Sequence, residues 1–370
     1  MIFCDLHKQY EAYQREIDNA IQGVISSASF INGKEINLLE EELAAFTGVK
    51  NAVSCSSGTD ALLLPMMAWG IGPGDEVICP AYSYIATASM VSLLKAKPVF
   101  VDVLPADFNL DVSKIEAKIT SKTRGIIAVS LFGQCAAYDE LNTLAAKHGL
   151  WVIEDGAQSF GASYFGRQSC SLTTVGTTSF FPAKPLGCYG DGGALFTNND
   201  QLAETIRMIR GHGQEKRYYH KLIGINGRID TLQAAILRVK LKYFEQELKV
   251  RQRAADRYTE LLGDLVRTPK IAAGKTSTWA QYTILTPHRD ALRAELQAKN
   301  IPTAIHYPLP LPRQEAFAGD VIPGENFPVA DELSRTVLSL PMHGLITEEE
   351  VRQVAAAIIE IMEKKEKGRR

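Results

Sequence analysis

Apolar positions along the chain follow two periods, and each period predicts a different kind of element. The first recurs at intervals of three and four residues and predicts an amphipathic helix, formed by Ile36, Leu39, Leu43 and Phe46 and ended by Gly48. The second consists of short apolar runs without alternation, which predict strands at 51–54, 76–79, 98–103, 125–130, 151–154, 177–181 and 194–197. Helix-compatible stretches such as 138–148 separate several of these runs. Because such runs are typical of strands covered on both faces, we expect a mainly parallel sheet between helices.

The pattern changes after residue 230. Residues 231–262 form one long helical repeat in which charges fill the places between apolar positions. We interpret this helix as the bridge between a large domain with N-terminal helices, residues 1–230, and a smaller C-terminal α/β domain, residues 231–370. Four prolines between 302 and 312 predict a loop in the smaller domain, and a last helix is predicted over 347–364.

Composition places the chain among globular proteins and excludes several classes. Of its 370 residues, 46% are hydrophobic and 22% are charged, and 40 basic residues nearly balance 42 acidic ones. No global basic field is therefore available to bind nucleic acid. The longest apolar run, 61–69, is too short to cross a bilayer, and the first ten residues lack the apolar stretch of a signal peptide. We expect a cytoplasmic protein without a membrane partner.

Six scattered cysteines, none in a CxxC pair, predict buried reduced thiols and no metal site.

Two segments have the residue types of a ligand site. The sequence SSGTD at 56–60 is a predicted strand-to-helix turn, in which Thr59 is expected to cap the helix and Gly58 to let the backbone approach an anion. An ordinary capped helix is the alternative. Asp155 follows the predicted strand 151–154, where α/β sheets bind ligands, although it also suits a simple helix cap.

Lys184 is the third feature of interest. Pro182 and Pro185 flank it, so neither a helix nor a strand is expected to continue through this position. A lysine buried on such a restricted loop can lose its proton and attack carbonyl groups, whereas a surface lysine is the ordinary alternative.

The fourth feature is GINGR at 224–228. Its Asn226 and Arg228 suit a phosphate or a carboxylate, while Asp230 is placed to cap the helix that follows. An anion-binding helix start, a carboxylate and a lysine together match one cofactor, pyridoxal phosphate. Its phosphate suits the helix start, its aldehyde suits the lysine, and its ring nitrogen suits the carboxylate.

Longer motifs resemble the DegT-type nucleotide-sugar aminotransferases over nearly the whole chain. These motifs are SSGTDALLL, PAYSYIATA, IEDGAQSFGA, TTSFFPAKPLGCYGDGGA, GINGRIDTLQAAIL and IPTAIHYPLPL. The resemblance implies the aspartate-aminotransferase-like fold (PLP fold type I), an α/β fold with a large sheet-containing domain and a smaller C-terminal α/β domain. It also implies pyridoxal 5'-phosphate as cofactor, glutamate as amino donor, and a homodimer with two shared active sites.

The same resemblance implies roles for individual residues. Lys184 would bond to the cofactor aldehyde and move protons, and Asp155 would face the ring nitrogen. The remaining implied cofactor contacts are Gly58, Thr59, Asp60 and Ser179 at the phosphate, Tyr84 stacked on the ring, Gln158 near the phenolic oxygen, and Asn226 reaching the phosphate from a neighbouring subunit.

Within the family, FFPAKPLGCYGDGGA and IHYPLPL resemble the enzymes that aminate C3 of a UDP-linked 2-acetamido-2-deoxy-3-oxo-glucuronate for lipopolysaccharide O-antigen synthesis. In that subgroup Arg228, His306 and Tyr307 would contact the sugar nucleotide, the arginine being suited to a uronate carboxylate. Pro312 and Arg313 depart from the family pattern. Arg313 is either one more anion contact or an exposed arginine.

Other functions remain open at this point. The same chemistry on another nucleotide keto-sugar, such as a 4-keto-6-deoxy sugar, is the nearest alternative, and a cofactor-binding regulator without turnover is a second one. A related branch dehydrates sugars with a histidine at the lysine position, and Lys184 argues against it. A dinucleotide-binding enzyme is disfavoured because no GxGxxG follows the first strands.

Overall fold

A seven-stranded sheet forms the centre of the computed structural model, which describes residues 1–321 and 324–367, the last three without their side chains. The strand order is 1-9-8-5-4-2-3. The strands of this sheet, with the small hairpin β6–β7 that follows β5 in the chain, are β1 Asn51–Cys55, β2 Glu76–Pro80, β3 Lys97–Val101, β4 Thr123–Val129, β5 Trp151–Asp155, β6 Ser163–Tyr164, β7 Arg167–Gln168, β8 Val175–Ser179 and β9 Gly193–Thr197.

Four of the six neighbouring strand pairs in the sheet are parallel, and β9 alone among these seven strands runs against its neighbours, β1 and β8. The prediction of a mainly parallel sheet is therefore confirmed. Three strands end earlier than predicted, at Val101, Val129 and Ser179. At the last of these places the chain leaves the sheet and enters the loop that carries Lys184.

Ten helices cover the sheet or follow it within the described residues. They are α1 Leu6–Ser27, α2 Lys34–Thr47, α3 Gly58–Ala68, α4 Ala86–Leu93, α5 Tyr138–His148, α6 Asp200–Arg210, α7 Thr231–Leu262, α8 Arg289–Ala298, α9 Pro328–Thr336 and α10 Glu348–Lys367. The apolar residues of α2 that predicted it, Ile36, Leu39 and Leu43, are buried, and Gly48 ends the helix with a positive φ of 75°. A left-handed residue at this place is easiest for glycine, which has no Cβ.

The C-terminal half contains a second, two-stranded antiparallel sheet, β12 Tyr282–Leu285 with β13 Val337–Leu340; an exposed hairpin, β10 Gln214–Lys216 with β11 Tyr219–His220, precedes α7. Apolar side chains from α7, α8 and α10 pack around β12 and β13. Leu311, Phe317 and Phe327, however, pack with Phe100 of β3 in the core of the first sheet. The two halves thus share apolar core, and the division at residue 230 stays a prediction.

The six cysteines are free thiols, five of them buried and Cys4 partly exposed. No helix among the described residues is both long enough and apolar enough to cross a membrane.

Candidate active site

A cavity of about 440 Å³ opens at the carboxyl edge of the central sheet. Three strand ends contribute to its wall: Val129 from β4, Asp155 from β5 and Ser179 from β8. Gly58 at the start of α3 and Lys184 in the loop after β8 complete this side. Since ligands of open α/β sheets bind at this edge, the fold places the residues singled out from the sequence at a ligand position.

The start of α3 is built for an anion, although not in the way the sequence suggested. Ser57, not Thr59, is the cap: its hydroxyl oxygen accepts the N–H of Asp60 at 3.0 Å, and the helix begins at Gly58. The expectation for Thr59 is wrong because the extended backbone that capping requires occurs at Ser57. Ser57, Gly58 and Thr59 line the cavity with a helix N-terminus, where unpaired N–H groups favour an anion.

Gly58 also allows a close approach between two elements. A Cβ built on Gly58 would lie 2.5 Å from the Cβ of Ser179, so any larger residue would push α3 away from β8. Asp60 does not line the cavity, and its carboxylate accepts a hydrogen bond from the hydroxyl of Ser56. The structure thus brings together the helix start and Ser179, with Asp60 directed elsewhere.

Asp155 and Glu154 end the same strand and face opposite sides of it. The Asp155 carboxylate borders the cavity and accepts the N–H of Ala157 at 3.1 Å and the hydroxyl of Thr87 at 3.3 Å. Burial raises the pKa of Asp155, and these two hydrogen bonds and the Lys184 ammonium act against that rise. The neighbouring Lys184 charge therefore favours an ionised Asp155.

Glu154 has a separate environment. Its carboxylate is fully buried and accepts the N–H of Cys170 at 2.7 Å, the hydroxyl of Ser169 at 2.8 Å and the N–H of Leu172 at 3.1 Å. Burial raises the pKa of Glu154 to about 7 despite these three donors. Of the two carboxylates that the sequence places at this strand end, only Asp155 lines the cavity.

Lys184 stands on a short loop closed by backbone hydrogen bonds. The N–H of Lys184 donates to the carbonyl of Phe181 at 2.8 Å, and the N–H of Cys188 donates to the carbonyl of Phe180 at 2.7 Å. Burial lowers the pKa of Lys184, while the Asp155 carboxylate opposes that shift. A lowered pKa increases the fraction of neutral amine, which is the nucleophilic form.

Residues from the C-terminal half form another part of the cavity wall. The phenol oxygen of Tyr307 accepts from Gln158 Nε2 at 3.2 Å, and Gln158 Oε1 accepts the N–H of Phe132 at 2.7 Å, which fixes the amide. Tyr82 holds the backbone of Tyr307 by accepting its N–H at 2.6 Å. Tyr84 also lines the cavity; it is 55% exposed, and its ring centre lies 6.0 Å from that of Tyr307.

His306 lies beside Tyr307 and is joined to it by a cis peptide bond. Its Nδ1 is 2.9 Å from the hydroxyl of Ser339 on β13. Burial lowers the pKa of His306 to about 4, and the Lys184 charge adds to that shift. The imidazole is therefore neutral at neutral pH and can donate or accept a hydrogen bond without adding charge.

Besides Asp60, three other residues expected from the sequence lie outside the lining of this cavity. Asn226 is exposed, and Arg228 is half-buried with an Nε that has no hydrogen-bond partner among the described residues. The carbonyl between them, that of Gly227, accepts the N–H of Ser56 at 2.9 Å next to the start of α3. Arg313 donates to both carboxylate oxygens of Asp331, at 3.1 and 2.9 Å, and so forms a surface ion pair.

Several cavity residues had not been singled out from the sequence. They include Ser57, Ser83, Phe181, Asp191 and Gln281. Gln281 has a buried Oε1 without a hydrogen-bond partner among the described residues. It directly precedes β12, and only its place at the start of an apolar run would have drawn attention to it.

Comparisons with known proteins find relatives over nearly the whole chain. The model of the DegT/DnrJ/EryC1/StrS aminotransferase family matches residues 11–359. The chain is 50% identical to the UDP-2-acetamido-2-deoxy-3-oxo-D-glucuronate aminotransferase of Pseudomonas aeruginosa, over 96% of this chain and 99% of the relative. It is 41% identical to the UDP-N-acetyl-3-dehydro-alpha-D-glucosamine 3-aminotransferase of Acidithiobacillus ferrooxidans, over 96% of both chains. It is also 44% identical to a pleiotropic regulatory protein of Geobacillus stearothermophilus, over 96% of this chain and 97% of the relative.

Solved structures give the same result. A DegT/DnrJ/EryC1/StrS aminotransferase from Brucella abortus is 42% identical and superposes with a TM-score of 0.95, covering 98% of this chain and 99% of that one. NtdA from Bacillus subtilis, solved with bound cofactor PMP, is 28% identical with a TM-score of 0.92, over 98% of this chain and 85% of that one. The predicted fold and the resemblance seen in the motifs are both confirmed. The chain belongs to the DegT/DnrJ/EryC1/StrS aminotransferase family and is an aminotransferase.

Proposed function

We propose that the protein uses pyridoxal 5'-phosphate to transfer an amino group from glutamate to C3 of UDP-2-acetamido-2-deoxy-3-oxo-glucuronate. The observation that carries the proposal is the convergence of Lys184, Asp155 and the start of α3 on one cavity. The sugar is supported by the 50% identity to the Pseudomonas aeruginosa aminotransferase named for it. We place the reaction in lipopolysaccharide O-antigen synthesis, as the subgroup resemblance implies, and also in the cytoplasm.

The residues present fit this cofactor by the chemistry of their donors and acceptors. The N-terminus of α3 offers N–H groups for a phosphate, and Gly58 leaves room for the backbone to approach it. The Lys184 amine and the Asp155 carboxylate border the same cavity, so one ring can meet both of them. Gln158, held by Phe132, presents its amide to a ring oxygen. When bound, pyridoxal phosphate supplies an electron sink for the carbon that loses its proton.

Residues of the chain itself provide the nucleophile, the proton transfer and the orientation of the substrate. Lys184, with its lowered pKa, is the nucleophile for the cofactor aldehyde, and its freed amine moves a proton between the amino-acid Cα and the cofactor carbon. Asp155 balances positive charge at the ring nitrogen. His306 and Tyr307, from the other wall, orient the sugar, and the neutral imidazole of His306 adds no repulsion toward Lys184.

Asn226 and Arg228 act, in this proposal, on the cavity of a second copy of the chain. Both lie outside the lining of their own cavity, and Asn226 is exposed. They flank Gly227, which is anchored beside the start of α3 through Ser56, so they stand near a cavity mouth that a partner can share. A homodimer with shared sites accounts for side chains of this chemistry at this place.

Mixing two inactive variants tests the shared site. Lys184→Ala removes the nucleophile from one cavity, and Asn226→Asp sets a negative charge against the phosphate. Hybrid dimers then contain one intact site, so a fully exchanged equal mixture should regain about a quarter of wild-type activity.

The control is a mixture of Lys184→Ala with Asp155→Asn, two changes within one cavity, which should regain no activity. If the subunits demonstrably exchange and the Asn226→Asp mixture also stays inactive, Asn226 does not act across subunits.

The choice of sugar tests the role of Arg228. A uronate carboxylate can pair with both arms of a guanidinium, whereas a neutral C6 group leaves it unpaired. Losing that partner in a desolvated site costs about 2–5 kcal/mol, which lowers kcat/KM at least about tenfold. We therefore expect kcat/KM to be at least about tenfold higher for the uronate than for the matching 3-oxo-glucosamine, and Arg228→Lys to reduce this preference.

Arg313→Lys serves as the matched control, since Arg313 is paired with Asp331 on the surface. Equal kcat/KM for the two sugars in the wild-type enzyme would remove the uronate from the proposal. A preference for the neutral sugar would favour the substrate named for the Acidithiobacillus ferrooxidans relative.

A further inference from the structure

One face of α7 buries three ionisable side chains behind the loop that carries Lys184. Lys240, Glu247 and Arg251 are each 2% exposed, and their spacing of seven and four residues places them on one side of the helix. Burying a charge is costly unless polar partners replace the lost water. The hydrogen-bond partners of these side chains therefore identify the segments that this face of α7 holds in place.

Lys240 bonds to the loop itself. Its Nζ donates to the backbone carbonyl of Gly187 and lies 5.2 Å from the centre of the Tyr189 ring. A Cβ built on Gly187 would lie 2.4 Å from the carbonyl oxygen of Pro182, so the two ends of the loop touch each other. The carbonyl that Lys240 holds thus belongs to the tight turn that presents Lys184.

The other two side chains hold segments on either side. Both carboxylate oxygens of Glu247 accept from Gln9 Nε2 at 2.8 Å, and Arg251 Nη1 donates to the carbonyl of Trp279 at 3.0 Å. Burial lowers the pKa of Lys240 to about 8, and the nearby Glu247 carboxylate opposes that shift. Lys240 is therefore mainly an ammonium at neutral pH, and its bond to the loop is charge-assisted.

A small cavity of about 10 Å³ adjoins the loop and one of these three side chains, Arg251. Pro182 and Lys184 border it from the loop, and Gln9 and His343 are also part of its lining. Lys184 therefore contacts two spaces, this one and the main cavity. Any movement of the loop on this support changes where the Lys184 amine stands in the main cavity.

We propose that Lys240 is a positioning residue for Lys184, an inference that rests on the proposed function. Its ammonium, balanced by Glu247, fixes the Gly187 carbonyl and with it the turn that aims Lys184 into the main cavity. Lys240 touches neither substrate nor cofactor in this proposal. Its effect is exerted through the loop.

Lys240→Met tests the proposal because methionine keeps an apolar stem and has no donor for the carbonyl. In the purified cofactor-bound enzyme we expect kcat to fall about tenfold or more, since a small misplacement of a reacting group costs this much. KM should change less than about threefold, because the sugar wall is untouched. The visible cofactor absorbance changes with pH, and the midpoint of this change depends on the surroundings of Lys184. This midpoint should shift by about half a pH unit or more.

Two further variants separate positioning from stability. Lys240→Arg keeps a charged donor and should restore most of kcat and the absorbance midpoint. Lys242→Met, on the same helix, removes an exposed lysine whose Nζ lies 3.1 Å from the Glu16 carboxylate, and should behave as wild type. If Lys240→Met does not fold, Lys240→Gln, whose amide is too short to reach the carbonyl, takes its place with the same expected result.

A Lys240→Met or Lys240→Gln enzyme with wild-type kcat and absorbance midpoint would overturn the positioning role, whatever its unfolding temperature. This failure is distinct from failure of the proposed function. In the latter case, wild-type protein itself would bind no pyridoxal phosphate or would not transaminate.

Discussion

Lys184→Ala is expected to lower transamination by at least about 10³-fold and to abolish covalent attachment of pyridoxal phosphate, because one amine serves as nucleophile and proton carrier. The wild-type protein should show a visible absorbance that borohydride reduction removes. Peptide mapping after reduction should find the cofactor on the peptide that contains Lys184. Lys184 borders the main cavity together with Asp155, and this position is the structural reason for choosing this lysine.

Lys122→Ala is the matched control, since Lys122 is exposed and should affect neither absorbance nor rate. A label on a peptide that lacks Lys184 would show that the assignment of the nucleophile is wrong. So would a Lys184→Ala protein that still transaminates at the wild-type rate.

Asp155→Asn should reduce kcat/KM about 10²-fold or more while leaving the fold intact, since an uncompensated charge in a desolvated site costs about 2–5 kcal/mol. Asparagine has the same shape as aspartate. Its oxygen can still accept the N–H of Ala157, and its amide can donate to the hydroxyl of Thr87. The loss should therefore appear in steady-state kinetics and not in the unfolding temperature.

Glu154→Gln gives the opposite pattern and is the control. The amide oxygen can keep the bonds from Cys170 and Ser169, but the amide nitrogen then faces the N–H of Leu172, which is itself a donor. Two donors facing each other in a buried site should lower the unfolding temperature, with kcat of the folded enzyme unchanged. Wild-type kcat/KM in Asp155→Asn would contradict the role of Asp155 at the ring nitrogen.

The sequence predicted regular elements well where a local signal marks both ends. The α7 helix spans Thr231–Leu262 and α5 spans Tyr138–His148, in both cases as the apolar periodicity indicated. The prediction failed at the start of α3, where Ser57 and Thr59, on either side of Gly58, both carry good capping side chains. Only the backbone angles distinguish Ser57 from Thr59, and these depend on how β1 and β8 pack beside the turn.

The residues of the candidate site could be predicted where a motif or the end of a predicted strand marked them. Asp155 and Lys184 stand next to predicted strands, so the sheet rule alone places them near one edge. Gln281 and Lys240 carry no such mark. A glutamine before a strand and a lysine in a long helix look ordinary until the tertiary structure buries them, one in the cavity wall and the other against the Lys184 loop.

The two walls of the cavity come from separate stretches of chain. The lining residues of one part, which include Asp155 and Lys184, fall between 57 and 191, while Gln281, His306 and Tyr307 fall between 281 and 307. Substitutions in the second stretch can therefore change which substrate the cavity accepts while the residues of the first stretch stay unchanged. In this way one fold can come to act on different amino sugars, and residues 281–307 are the place to begin when changing the substrate selectivity of this enzyme.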